Sequence, residues 1–98
     1  MTRDAVISIL PAHEVALWRK GVVAAALFGS TARGEATAGS DLDIMVDIDP
    51  AANVDLYDYV AITRYIAALL SVPVDVADHA MLVELVRQTA EKDAIYAF

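Results

Sequence analysis

The chain has 98 residues, no cysteine and a formal net charge of −7. A chain of this length forms one small domain that buries only about 60–65% of its unfolded surface, so we predict a single domain over residues 1–98. The absence of cysteine excludes disulfides and thiolate metal sites, and two dispersed histidines do not indicate zinc. Seven basic residues against 14 acidic ones provide no basic stripe, so we expect no direct binding of nucleic acid.

Hydrophobic residues make up 58% of the chain, but they do not indicate a membrane protein. The longest clean apolar run, Val22–Phe28, has seven residues, whereas a spanning helix needs about 20. The first ten residues lack the apolar core and cleavage site of a signal peptide. We therefore expect no membrane partner, a cytoplasmic location, and some apolar surface left over for a protein partner or a second copy.

Residues 2–20 are predicted to be helical. Thr2 is a plausible N-cap, Pro11 either kinks the segment or begins a second helix, and Gly21 ends it. Trp18 is interpreted as a packing residue of this segment. The apolar run Val22–Phe28 then predicts a strand that is buried on both faces.

The Gly29-Ser30 pair after this strand predicts a tight turn with room for a phosphate. Glycine permits a close backbone approach, and Ser30 is expected to cap a short helical turn that extends to Arg33. The free backbone N–H groups of such a turn can hold an anion. Residues 37–40 are predicted to form the loop to the next strand.

A period of two runs over residues 41–49, which predicts a strand with one apolar and one mainly acidic face. The acidic face carries Asp41, Asp43, Met45, Asp47 and Asp49, and the apolar face carries Leu42, Ile44, Val46 and Ile48. Asp41 and Asp43 are two residues apart and would point the same way, roughly 6.5 Å apart at the backbone, so both can bind one hard cation or a closely spaced pair. An isolated Asp-x-Asp is more often a solvated surface feature, but the preceding Gly29-Ser30 turn favours a metal site. Asp47 and Asp49 lie further along the strand and are expected to be solvated.

Beyond Pro50, the pattern predicts a helix, a short strand and a helical C-terminal part. Residues 55–70 can form four helical turns, with Asp55 and Asp58 at the positive end. Residues 72–77 form the short strand, and the chain from Asp78 onward is predicted to form one or two helices. The residues expected to face inward there are Leu82, Leu85 and Val86. This order of helices and strands along the chain is typical of α/β proteins. The sequence alone does not determine the directions of the strands.

The segment LFGSTARGEATAGSDLDIMV, residues 27–46, resembles the GS-x10-DxD signature of the DNA-polymerase-β-like nucleotidyltransferases. More closely, it resembles the minimal nucleotidyltransferase (MNT) domains that act as antitoxins beside HEPN-type toxins. The resemblance implies an α/β (α+β) fold, in which a small mixed β-sheet of about three to four strands has its helices packed mainly on one side.

The resemblance also implies a set of metal ligands and catalytic residues: Asp41, Asp43 and Asp75, which would bind Mg²⁺, with two ions expected. In this family the third carboxylate comes from the next strand and helps to deprotonate the attacking hydroxyl. From its pattern alone, Asp75 is equally well interpreted as an outward residue of a half-buried strand. Asp78 is the competing candidate, but it looks more like a helix cap before His79.

Three further residues are predicted to bind the nucleotide, which the resemblance implies is ATP. Gly29 and Ser30 would hold its phosphates through backbone N–H groups and the Ser30 hydroxyl. Arg33 could contact phosphate or target, or it could be an ordinary surface arginine. Glu35 is unfavourable beside a phosphate and is left as a supporting or partner-facing group.

The resemblance implies that the chain is an enzyme that transfers AMP from ATP to a tyrosine hydroxyl of a partner HEPN ribonuclease toxin and thereby acts as an antitoxin. Two alternatives remain open. The chain could neutralise its toxin by stoichiometric binding, with a vestigial or regulatory nucleotide site. It could also modify a small molecule, but that reaction would need an acceptor domain for which 98 residues leave no room.

Overall fold

Helices and strands alternate along the chain in the computed structural model, which describes residues Met1–Phe98. The helices are α1 (Arg3–Ile9), α2 (Glu14–Arg19), α3 (Gly29–Ala32), α4 (Leu56–Leu70) and α5 (Glu84–Asp93). The strands are β1 (Val22–Phe28), β2 (Leu42–Ile48), β3 (Val74–Asp78) and β4 (Ile95–Tyr96). Short 3₁₀ turns span Leu10–His13, Pro50–Ala52 and His79–Met81.

The ends of the N-terminal helices are set by the residues that the sequence indicated. The Thr2 side chain caps α1 by accepting a hydrogen bond from the backbone N–H of Ala5 at 3.2 Å, and Pro11 lies in the 3₁₀ turn between α1 and α2. Gly21 follows α2 with a φ of +102°, and a Cβ there would lie 2.8 Å from Val54 Cγ2. These predictions are confirmed, and the chain reverses at Gly21 because only glycine fits both the backbone angle and the space.

The four strands form one mixed sheet in the order β3-β2-β1-β4. β1 is antiparallel to both β2 and β4, whereas β2 and β3 are parallel. The predicted fold is confirmed. β4 was not predicted, because a strand of two residues has no periodicity of its own and forms only by pairing with Ala26 and Leu27 of β1.

The main core lies between the sheet and helices α1, α2 and α4. It is built from side chains that are almost fully buried, among them Val6, Leu10, Leu17, Leu27, Ile44, Ile62 and Ile66. The other face of the sheet is partly covered by α5, where Ala90 packs against Ala26 and Met45. Most helices therefore cover one face, and α5 shares the opposite face with the acidic side chains of β2.

Three apolar residues that were expected to pack inward are exposed, so these predictions were wrong. Trp18 is 64% exposed, Leu85 is 77% exposed and Val86 is 46% exposed. The reason is that each short helix contacts the core through a single buried residue, Leu17 in α2 and Ala90 in α5. No helix combines the length and apolar character that crossing a membrane requires.

Candidate active site

Asp43 and Asp75 are direct partners in the parallel pairing of β2 and β3. Register partners on neighbouring strands project to the same face of a sheet, so both carboxylates lie on the face that α5 only partly covers. Asp41 is exposed and lies just before the first residue of β2. The structure thus brings Asp43 and Asp75 together, with Asp41 at the adjacent end of β2.

The negative charges of Asp75 and Asp41 repel that of Asp43. The pKa of the Asp43 carboxyl is raised above its usual value, first because the group is partly buried and then because Asp75 and Asp41 repel its negative charge. Arg33 acts in the opposite direction, but its effect is smaller. A cation at this position would relieve the repulsion, since opposite charges nearby favour the ionised carboxylate.

Gly29 lies directly against the Asp43 side chain. Its φ is +74°, and a Cβ at this position would lie 3.2 Å from Asp43 Cγ and 3.3 Å from Asp43 Cβ. This approach follows from the sheet, because Phe28, the last residue of β1, is the register partner of Asp43. The glycine predicted to make a close turn is therefore the residue that gives the carboxylate its space.

The turn after β1 is the four-residue helix α3, and its cap differs from the prediction. The N-cap is Phe28, without a side-chain hydrogen bond, and Ser30 lies inside the helix. The expectation that Ser30 caps this turn was therefore wrong, because the helix already begins at Gly29. The first N–H groups of a helix have no partner within it, so the backbone at Gly29 and Ser30 keeps donors suited to an anion.

Arg33 is held between two carboxylates. Its Nε lies 3.1 Å from Glu35 Oε2, and its Nη1 lies 2.6 Å from Asp93 Oδ2. These contacts, with Asp93 contributing most, raise the pKa of the guanidinium. Glu35, whose role the sequence left open, thus pairs with Arg33. Contact between Arg33 and a nucleotide stays a prediction.

Two other acidic residues, Asp78 and Asp47, form hydrogen bonds within the fold. Asp78 accepts a hydrogen bond from the backbone N–H of Ala80 at 3.1 Å, which confirms that it is a cap. Asp47 was expected to be solvated, but its Oδ1 lies 2.6 Å from His79 Nδ1. That prediction was wrong because the register places Asp78 beside Val46, and this brings the following residue, His79, to the next acidic position of β2.

No cluster of three or more histidine, cysteine, aspartate or glutamate side chains is arranged to hold a metal ion. The structure provides instead two paired carboxylates, Asp43 and Asp75, with Asp41 near enough to affect the pKa of Asp43. Mg²⁺ is usually bound by one or two carboxylates together with waters and substrate phosphates, not by a complete protein cage. The donors present therefore fit Mg²⁺ that arrives with a triphosphate, and their role as ligands stays a prediction.

Comparisons with known proteins show the family of the chain. A family model of the nucleotidyltransferase domain matches residues 13–97. The protein adenylyltransferase MntA of Thermococcus cleftensis is 33% identical over 97 residues, which cover 98% of this chain and 96% of the relative.

Solved structures share the fold of the chain. One described as a "putative minimal nucleotidyltransferase" has 32% identity and a TM-score of 0.71, and the match covers 91% of this chain and 93% of that one. A toxin–antitoxin crystal structure with AMP-PNP shares the fold at 22% identity and a TM-score of 0.68, over 90% of this chain and 72% of that one.

The chain belongs to the nucleotidyltransferase domain family. Its predicted likeness to the minimal nucleotidyltransferases, and the prediction that it is an enzyme of this class, are both confirmed.

Proposed function

We propose that the chain is a Mg²⁺-dependent protein adenylyltransferase that transfers AMP from ATP to a tyrosine hydroxyl of a HEPN-type toxin and thereby neutralises it. The proposal treats residues 1–98 as a single catalytic domain that acts in the cytoplasm. The observation that carries it is the pairing of Asp43 with Asp75 directly beside Gly29. This arrangement puts carboxylates for cations next to a backbone suited to phosphate.

In this proposal each part of the site has one task. The N–H groups at the start of α3 and the Ser30 hydroxyl bind the phosphates, and Gly29 leaves space for the Asp43 carboxylate. Asp41, Asp43 and Asp75 would hold two Mg²⁺ ions. These ions would neutralise charge on the triphosphate and align the attacking and leaving oxygens.

The reaction forms a bond between the tyrosine oxygen and the α-phosphorus and breaks the bond from that phosphorus to the bridging oxygen of the β-phosphate. Pyrophosphate leaves with that bond pair. Asp75, the exposed member of the carboxylate pair, accepts the proton of the attacking hydroxyl. Asp43 is less exposed and lies between Asp75 and Gly29, so it is positioned to hold cations that in turn would bind the triphosphate.

The comparisons support a protein as acceptor. The Thermococcus relative, which is matched over almost its whole length, is named a protein adenylyltransferase, and solved neighbours with the same fold are toxin–antitoxin complexes. Exposed apolar side chains beside the site, such as Leu85 and Val86, suit an acceptor that docks as a folded protein.

The proposal is tested with a small helical protein encoded next to this chain that carries an Arg-x4-6-His motif. This protein is incubated with the chain and Mg·ATP, and its intact mass is then measured. We expect an increase by one or more AMP units that maps to a tyrosine and that EDTA abolishes. An unchanged mass would refute the proposed reaction.

A second candidate is an antitoxin that acts by binding alone, and the exposed Trp18, Leu85 and Val86 favour such a docking role. The double variant Asp41→Asn/Asp43→Asn separates the two functions. If it still neutralises the toxin without transferring AMP, binding alone explains the activity. If neutralisation and transfer are lost together while the complex still forms, catalysis explains it.

A further inference from the structure

The hydroxyl of Tyr59 joins α4 to the outer strand of the sheet. It donates a hydrogen bond to the backbone C=O of Val76 at a distance of 3.0 Å, and Val76 directly follows Asp75 on β3. We infer that Tyr59 is a positioning residue, whose bond to β3 holds the Asp75 carboxylate where it can accept the proton of the attacking hydroxyl. The inference rests on the proposed function, because Asp75 has this task only in the proposed reaction.

The outer edge of β3 has no neighbouring strand. The sheet order β3-β2-β1-β4 gives β3 a single partner, β2. Leu42 of β2 donates its N–H to the C=O of Pro73 at 3.2 Å. Carbonyl groups along a strand alternate in direction, so the C=O of Val76 points away from β2, to the edge where backbone groups lack strand partners. The Tyr59 hydroxyl therefore supplies the hydrogen bond that a further strand would otherwise make.

The position of β3 depends strongly on its hydrogen bonds. None of its five residues, Val74–Asp78, is fully buried, although Val76 packs partly against the main core. The strand is thus held by its pairing with β2 on one side and by Tyr59 on the other. Because Asp75 belongs to this strand, a movement of β3 relative to β2 changes the distance between the Asp75 and Asp43 carboxylates.

Tyr59 acts on Asp75 through the backbone of β3 and not on the substrate. Successive residues of a strand point to opposite faces. Val76 packs against the core to which α4 belongs, so Asp75 projects to the other face. Burial, followed by the negative charges of Asp78 and Asp75, raises the pKa of the Tyr59 hydroxyl. The hydroxyl therefore stays protonated at neutral pH and keeps its hydrogen bond to the strand.

The position of Asp75 matters because proton transfer needs close contact. A proton acceptor lies about 2.6–3.2 Å from the atom that gives the proton. A displacement of about 1 Å in an active site can lower the rate by roughly 100-fold. A smaller shift of β3, caused by the loss of one hydrogen bond, should therefore lower the rate of AMP transfer measurably.

The experiment removes one tyrosine hydroxyl at a time. Tyr59→Phe keeps the ring and removes the donor. Tyr65→Phe is the matched control, because Tyr65 also lies on α4 and is also half-buried, and its hydroxyl lies 3.1 Å from His13 Nδ1. The kcat of AMP transfer to the partner protein and the KM for Mg·ATP are measured for each variant, alone and combined with Asp75→Asn.

We expect Tyr59→Phe to lower kcat by about tenfold. The KM for Mg·ATP should change by less than about twofold, because the start of α3 and Asp43 on β2 stay in place. Tyr65→Phe should leave both values unchanged. In the presence of Asp75→Asn, Tyr59→Phe should lower kcat no further, because the effects of residues that act through one another are not additive.

Hydrogen–deuterium exchange provides a measurement that needs neither ATP nor Mg²⁺. In the unliganded chain, the backbone N–H groups of β3 should exchange about tenfold faster in Tyr59→Phe. Their exchange in Tyr65→Phe should equal that of the unmodified chain. Equal exchange of β3 in all three proteins would show that the Tyr59 hydroxyl does not hold the strand, and would overturn the inference.

The kinetic results can overturn it as well. If the unmodified chain transfers AMP and Tyr59→Phe does so at the full rate, Tyr59 has no positioning role and the proposed function is unaffected. If Tyr59→Phe lowers kcat equally with and without Asp75→Asn, its effect does not pass through Asp75. If Tyr59→Phe does not fold, the hydroxyl supports the whole fold instead. If the unmodified chain transfers no AMP, the proposed function fails and the inference fails with it.

Discussion

Gly29 and Asp43 are packed so closely that position 29 has no room for a side chain: a Cβ there would lie 3.2 Å from the Asp43 carboxyl carbon. The two residues are 14 positions apart in sequence, and the antiparallel pairing of β1 with β2 brings them together. The carboxylate with the raised pKa is thus held against the first residue of the turn that is proposed to bind phosphate.

Replacing this glycine tests the contact. Gly29→Ala should strongly reduce AMP transfer, because the new methyl group displaces the Asp43 carboxylate. It should also lower the free energy of unfolding by about 1–2 kcal/mol, because alanine is strained at a φ of +74°. Labelling of the partner from Mg·ATP and urea unfolding measure the two effects.

Gly34→Ala is the matched control. Gly34 has a φ of +75°, but no atom lies within 4 Å of the Cβ it would gain. Gly34→Ala should lower the free energy of unfolding about as much as Gly29→Ala does, but it should leave the transferase activity unchanged. Equal loss of activity in both variants would show that backbone strain, and not the contact with Asp43, explains the effect.

Asp43→Asn should separate activity from stability. AMP transfer should fall by roughly 100-fold or more, because a charge that binds the cations is lost. The melting temperature should stay the same or rise by up to about 4 °C, because burial and the repulsion from Asp75 and Asp41 no longer penalise a charge at this position.

Asp49→Asn is the control for Asp43→Asn, because Asp49 is another aspartate and lies just after β2. The Asp49 side chain caps a 3₁₀ turn by accepting a hydrogen bond from the Ala51 N–H at 2.9 Å, and asparagine can keep this cap. The activity and the melting temperature of Asp49→Asn should both resemble those of the unmodified chain. A marked drop in stability in Asp43→Asn alone would mean that Asp43 supports the fold, contrary to our interpretation.

His79 should make the stability of the chain depend on pH. Burial lowers the pKa of its imidazole, but the hydrogen bond and charge of Asp47, with Glu91 at 3.4 Å from Nε2, outweigh burial and raise it. The pKa in the folded chain is therefore above its unfolded value of 6.5. The stabilisation is complete below about pH 6.5 and is lost as the pH rises through the raised pKa.

The measurement is the difference in melting temperature between pH 6 and pH 8, in the unmodified chain and in His79→Gln. The stabilisation at pH 6 relative to pH 8 should be smaller in His79→Gln by roughly 4 °C. His13→Gln removes the other histidine, whose Nδ1 lies 3.1 Å from the hydroxyl of Tyr65 and not beside a carboxylate, and should leave this difference unchanged. The same difference in all three proteins would contradict the role of the Asp47 pair.

The predictions from sequence were best where one local pattern determines the outcome. The apolar run of β1, the alternation in β2 and the cap at Asp78 depend on neighbours in the chain, and each was identified. The pairing of Asp47 with His79 spans 32 positions and requires the parallel register of β2 and β3. The sequence did not determine strand direction, so that pairing could not be derived from it.

The exposed Leu85 and Val86 illustrate a second limit of prediction from the sequence. The sequence predicts that both side chains face the core, but the helix contacts the sheet through the small residue Ala90. An alanine gives little hydrophobic signal, although it permits the closest approach of helix to sheet. The exposure of Leu85 and Val86 therefore became visible only in the structure.

The central claim, that Asp43 and Asp75 bind divalent cations beside Gly29, is tested most directly by a crystal structure with Mn²⁺ and a non-hydrolysable ATP analogue. We predict two anomalous peaks beside the Asp43 and Asp75 carboxylates, with Asp41 as a further ligand and the triphosphate over the start of α3. A peak only beside Asp47, His79 and Glu91, or a triphosphate bound away from Gly29, would contradict the account.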